Sequence, residues 1–199
     1  MTRVKICGLR RREDAEYCNR YGADYAGFVF WKGSRRFVSP AAAKDVSDNL
    51  LPRIVPVGVF VDEDVRVISS IADSGTIRMV QLHGDEDQEY IDLLRENVNI
   101  PIIRAYRPGC SRRFHADYSM FDGGAGDGKT FDWSSLKDVH GPFFLAGGLS
   151  AENVPDAIRT LRPFAVDVST GVETDGYKDP EKIRLFIEAV RKADAELEE

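Results

Sequence analysis

Cys7 stands directly before Gly8 at the end of the apolar run VKIC, where a thiol can face an open site. As a thiolate it could act as nucleophile or general base, which requires surroundings that favour the anion. As a thiol it suits a small buried hydrophobe. Asp122 also closes an apolar run, YSMF, and is followed by Gly123 and Gly124. A carboxyl group there can give or take a proton if its environment raises its pKa. It can equally start the loop as an Asx-turn residue. The two are candidate acid and base partners on opposite sides of a substrate. Arg35 and Arg36 lie in WKGSRRFVSP, and one of them could fork a carboxylate through paired hydrogen bonds; the other should be a solvated turn residue. His83, in VQLHGDE, could be an acid/base group or a metal ligand. The chain has no C-x-x-C or H-E-x-x-H spacing, and His115 and His140 add no ligand pattern, so no metal site is expected.

Glycine-containing turns at 147–148 and 169–171 follow the last two apolar runs. Such turns can bind a phosphate on backbone amides. A rival phosphate motif, GGAGDGKT at Gly123–Thr130, matches G-x-x-x-x-G-K-[ST] letter for letter. A true P-loop leads straight into a helix whose N-terminus faces the phosphates. Here FDW follows and the next helix-like piece is short, so nucleotide hydrolysis is not expected.

The elements that must position these residues alternate along the chain. Strand-like runs start near residues 4, 25, 54, 79, 101, 118, 143 and 164, and several are apolar throughout. That suits strands covered on both faces, as in a parallel sheet. Between them Val154, Ala157, Ile158 and Leu161, and Ile183, Phe186, Ile187 and Val190, follow helical spacing. Ser39 before Pro40 reads as a helix N-cap with proline at the first position, and Ser150 reads as another N-cap. Eight β–α units predict a small single-domain (β/α)8 barrel over residues 1–199, with a degenerate fifth helix and a short sixth. The alternative, an open doubly wound sheet, lacks a glycine-rich dinucleotide fingerprint after the first strand. In a barrel the chemistry should collect just after the strands, where Cys7, Arg36, His83, Asp122 and the glycine turns all fall.

Lys plus Arg number 27 and Asp plus Glu 33, for a net charge of −6. This balance argues against a nucleic-acid surface. The longest near-apolar stretch, Ile54 to Val61, is too short to cross a bilayer. The first residues show no signal peptide, and the three cysteines are too few for a disulfide framework. A reduced, cytoplasmic protein with no nucleic-acid or membrane partner is expected.

Seven segments, in order, make the chain similar to one family: VKICGLR at 4–10, GADYAGFVFWKGSRRFVSP at 22–40, VGVFVDE at 57–63, VQLHGDE at 80–86, GDGKTFDW at 126–133, LAGGLSAENV at 145–154 and AVDVSTGVETDGYKDPEKI at 165–183. They resemble the phosphoribosylanthranilate isomerases of tryptophan biosynthesis. The resemblance implies a (β/α)8 barrel and an Amadori rearrangement of N-(5-phosphoribosyl)anthranilate to the 1-deoxyribulose 5-phosphate product, without cofactor or metal. It places Cys7 as general base and Asp122 as general acid. It implies that Arg36 holds the anthranilate carboxylate, that Asp167 lies near the sugar hydroxyls and that His83 lies near the substrate. Gly148, Ser169, Thr170 and Gly171 fall on the phosphate-binding loops. The implied partner is a small phosphorylated aminosugar, and association with other tryptophan-pathway enzymes is a further expectation raised by the resemblance.

The sequence departs from the family pattern in the sixth loop, which is short between Asp122 and Lys129. Asp127 stands there as a rival acid. Thr170 replaces the usual second serine, which leaves its backbone N–H intact. Competing readings are a dual-substrate isomerase that also takes the histidine-pathway aminoaldose, for which the short loops leave little room, and a barrel that binds a phosphorylated ligand without turnover, against which the pair Cys7 and Asp122 speaks.

Overall fold

The computed structural model describes residues 1–110, 113–124, 131–136 and 139–197. Eight parallel strands close into a barrel in sequence order. They are β1 (Arg3–Cys7), β2 (Tyr25–Val29), β3 (Val55–Phe60), β4 (Met79–Leu82), β5 (Ile102–Tyr106), β6 (Tyr118–Asp122), β7 (Phe143–Ala146) and β8 (Ala165–Val168). The helices are α1 (Arg12–Tyr21), α2 (Pro40–Ser47), α3 (Val65–Asp73), α4 (Gln88–Asn97), α5 (Val154–Leu161) and α6 (Pro180–Glu196). A two-residue hairpin, β9 (Glu173–Thr174) and β10 (Tyr177–Lys178), stands between β8 and α6.

The strands are buried because each carries apolar side chains on both faces. Outward residues such as Val4, Ile6, Phe28, Phe60, Leu145 and Val166 pack with the helices in the main core. Inward residues Tyr25, Val57, Met79, Ile103, Met120, Phe144 and Ala165 fill the barrel itself. Above them, toward the strand C-termini, the apolar filling thins to Cys7, Val29 and Val59. Polar side chains take over there, which is where a barrel can hold a ligand.

The helix signals mostly act as expected. Ser39 caps α2, its hydroxyl accepting from the Ala42 N–H at 3.3 Å, with Pro40 in the first turn. Ser150 is not a cap: Asn153 holds that position and α5 begins at Val154. Pro155 lacks an N–H and must sit in the first turn, so the helix starts just before it. Residue 150 forms the preceding turn, its N–H donating to Asn153 Oδ1 at 2.8 Å.

The fifth crossover has no helix among its described residues. Phe114 covers that side instead: its N–H donates to the Tyr106 hydroxyl at 2.8 Å, and its ring lies 6.4 Å from that of Tyr106. The sixth helix shrinks to one 3-10 turn, Trp133–Leu136.

Candidate active site

An open cleft with about 70 Å³ of free volume lies at the C-terminal mouth of the barrel. Its lining brings together Arg36, Asp122, Asp167, Gly148, Ser169, Thr170 and Gly171. Cys7 and His83 are not in the lining itself. Cys7 sits beside it on β1, 8 % exposed, with its carbonyl accepting from the Ser169 hydroxyl at 3.1 Å. His83 reaches it through Asp122.

The side-chain alternation of the strands explains the grouping. In β1 the positions of Lys5 and Cys7 point inward while Val4 and Ile6 point out. Lys5 is paired in register with Asp167 of β8, and its ammonium donates to Asp167 Oδ1 at 2.9 Å. Cys7 is in register with Gly27 of β2. A Cβ at Gly27 would lie 2.7 Å from Cys7 Sγ and 3.2 Å from Lys5 Nζ, so this position has to be glycine for both groups to fit. Burial pushes the Cys7 thiol above its ordinary pKa; Lys5 and Lys178 pull it back and Asp167 adds to the rise.

Asp122 does two things at once. Its Oδ1 accepts from the Gly124 N–H at 2.9 Å, the Asx turn that opens the sixth loop. Its Oδ2 stays in the cleft, 3.4 Å from His83 Nε2. Burial raises the Asp122 pKa, opposed by His83 and by the Gly124 N–H. Burial likewise lowers that of His83, opposed by Asp122. On its other side His83 Nδ1 meets the Gln81 amide nitrogen at 2.8 Å. With Gln81 donating there, the imidazole presents Nε2–H to Asp122.

Arg35 and Arg36 separate as the basic turn required. The Arg35 side chain is 59 % exposed, whereas Arg36 is buried against Glu173. Arg36 Nε and Nη2 donate to the two Glu173 oxygens at 2.7 and 2.8 Å, and Nη2 also donates to Thr170 Oγ1 at 2.7 Å. The forked edge expected for a substrate carboxylate is thus taken by Glu173. Nη1 makes no side-chain hydrogen bond among the described residues. Glu173 also accepts from Lys178 Nζ at 2.8 Å, and Lys178 donates to the Ser169 carbonyl at 3.1 Å. The hairpin therefore anchors Arg36 and the loop after β8 together. Arg10 and Arg11 clamp it from the loop after β1, their guanidinium carbons 5.1 and 4.6 Å from the Tyr177 ring centre.

The two glycine turns pack tightly on their neighbours. Gly147, at φ 94°, leaves room for the sixth loop: a Cβ there would lie 2.6 Å from the Gly123 nitrogen. At Gly171 a Cβ would lie 2.1 Å from the Leu149 carbonyl oxygen, which ties the loops after β7 and β8 to each other. Asp127 and Lys129, the rival acid and the lysine of the P-loop-like motif, lie outside the described residues.

The model of the N-(5'-phosphoribosyl)anthranilate isomerase family matches residues 4–189. The chain belongs to that family. It is 44% identical to the N-(5'-phosphoribosyl)anthranilate isomerase of Acetivibrio thermocellus, over 98% of both chains. The phosphoribosylanthranilate isomerase structure from Thermotoga maritima superposes with a TM-score of 0.87 at 39% identity, covering 96% of this chain and all (100%) of that one. A further family structure, in complex with reduced 1-(o-carboxyphenylamino)-1-deoxyribulose 5-phosphate, gives a TM-score of 0.85 at 38% identity with the same coverage, 96% and 100%.

Lys5, Gln81, Glu173 and Lys178 join the site without having been picked out in the sequence. Signals for three of them were present. Lys5 is a charge two residues from Cys7 in an apolar strand, which puts both on one face. Glu173 and Lys178 flank Asp175-Gly176, a hairpin dipeptide whose two residues take φ 51° and 79°.

Proposed function

We infer that the cleft at the barrel mouth runs its chemistry with Cys7 as base and Asp122 as acid. The enzyme is an isomerase of tryptophan biosynthesis that converts N-(5'-phosphoribosyl)anthranilate to 1-(2-carboxyphenylamino)-1-deoxyribulose 5-phosphate. Asp122 protonates the ring oxygen of the sugar as the ring opens to an iminium. Cys7 then removes the C2′ proton, giving an enolamine that becomes the ketone. One proton arrives at oxygen and one leaves from carbon, which calls for two groups of opposite protonation.

The observation that carries this reading is the placement of a buried strand-end thiol beside a cleft that Asp122 and the glycine loops line together. Burial favours neutral Asp122, which an acid requires. His83, through Nε2–H, steadies the carboxylate left after proton transfer. The phosphate is assigned to the loops after β7 and β8, at Gly148, Ser169, Thr170 and Gly171, where backbone N–H groups suit an anion. Arg36 turns Nη1 toward the substrate carboxylate, and Asp167 is assigned to the sugar hydroxyls. Three free cysteines suit a cytoplasmic setting, and among the described residues no helix is long and apolar enough to cross a membrane.

The test is turnover of freshly generated substrate by purified protein, followed by its fluorescence, without added metal or nucleotide. Enzyme-proportional loss beyond spontaneous hydrolysis, with the ketose identified, is expected. Binding without turnover would contradict the catalytic assignment.

A further inference from the structure

Lys5 is 0 % exposed inside the barrel. An ammonium in such a place needs negative partners to offset the loss of water. Asp167 Oδ1 accepts one of its three N–H donors at 2.9 Å. The ammonium also faces sulfur: Lys5 Nζ and Cys7 Sγ both border the point where a Gly27 Cβ would stand, at 3.2 and 2.7 Å. The other elements around the thiol supply Asp167 from β8 and Lys178 from β10 as charged groups. On β2 and β3 its neighbours are the apolar Val29 and Val59. Asp122 and His83 stand on β6 and just beyond β4 at the same mouth of the barrel.

We propose that Lys5 is the counter-ion of the Cys7 thiolate, a positioning residue that acts on the reaction through Cys7 alone. This rests on the reading of Cys7 as the base. In the base step the thiolate lone pair takes the C2′ proton and forms S–H. The C2′–H electron pair moves to make the enolamine double bond, and the iminium pair settles on nitrogen. Sulfur loses its negative charge in that step. Asp167 then keeps the ammonium paired, so the site is never left with a lone buried cation. Asp167 thus has a second effect: it competes with sulfur for the same ammonium and holds back the thiolate.

The experiment is carboxamidomethylation of Cys7 by iodoacetamide across a pH series on the folded full-length chain, read by peptide mass spectrometry so that Cys18 and Cys110 do not interfere. Lys5→Met should slow Cys7 labelling about tenfold at fixed neutral pH and move its half-plateau pH upward. Asp167→Asn should speed labelling and move the half-plateau downward. In Lys5→Met kcat should fall with KM within about threefold of the parent. A salt bridge that only ties β1 to β8 would change thermal stability and leave the labelling profile where it was. An unmoved profile in Lys5→Met overturns the proposal, and if that variant does not fold, an unmoved profile in Asp167→Asn does so. Labelling is independent of turnover, so near-normal activity of Cys7→Ser would remove the base role while the ion pair stood on its own result.

Discussion

Glu173→Gln tests whether the hairpin carboxylate holds the cleft together. The carboxylate side chain is 5 % exposed, and its two best-buried partners, Arg36 and Lys178, are 11 % and 1 % exposed at the side chain. Glutamine keeps the shape and one acceptor oxygen, but it puts an N–H₂ against donors and leaves two cations without a counter-charge. Removing one partner of a buried pair costs about 3–5 kcal/mol, and the retained acceptor puts this variant near the lower end. The exposed Arg35 adds little. For a chain of this length the loss corresponds to a fall in Tm of about 6–12 °C. Thermal unfolding at neutral pH measures it, with substrate KM as a second readout, which should rise as Arg36 loses its anchor. The pH dependence has a definite sign. Burial alone would raise the Glu173 pKa, but Arg36 and Lys178 outweigh it and hold it below its ordinary value. The stabilisation is therefore present above the usual glutamate range and lost as pH falls through the depressed value, so parent and variant should converge in acid. A Tm change under about 2 °C with unchanged KM would refute the argument.

Other substitutions probe the same geometry. Gly27→Ala drives a methyl group into Cys7 Sγ and Lys5 Nζ at 2.7 and 3.2 Å; urea denaturation should show a loss of about 1–3 kcal/mol together with a lower kcat, and an unchanged midpoint and kcat would show that the strand has slack there. Asp122→Asn should abolish turnover yet unfold no earlier than the parent at neutral pH. Burial raises the Asp122 pKa, so its ionised form is penalised above the ordinary carboxylate range and the penalty vanishes in acid. Asp127→Asn should retain turnover, and the reverse ranking would move the acid to Asp127.

Much of this site could be read in the sequence because barrel chemistry follows strand ends. VKIC before glycine, and YSMF before Asp-Gly-Gly, marked both where strands stop and which side chains open the loops. Asp167 came only with the family resemblance, and it is the barrel's side-chain alternation that sets it on the inner face with Cys7 and Asp122. Tertiary pairings were not legible. Nothing local says that Glu173 returns to Arg36, 137 positions away in the chain, or that Lys5 faces Asp167 across the closing seam of the barrel. The Ser150 cap failed for a local reason: Ser, Asn and Pro155 compete within a few residues, and the proline decided. The pairing of Arg36 was hidden for a tertiary reason, since the glutamate that takes its Nε–Nη2 edge comes from the distant hairpin.

The most direct measurement is steady-state turnover of Cys7→Ser against the parent. The hydroxyl keeps the size and position of the thiol but is a far weaker acid, so it cannot supply the anion that takes the C2′ proton. The assignment predicts a fall in kcat of at least about 10²-fold with KM within about threefold. A kcat close to that of the parent would contradict it and leave the base to be sought among the other groups at the barrel mouth.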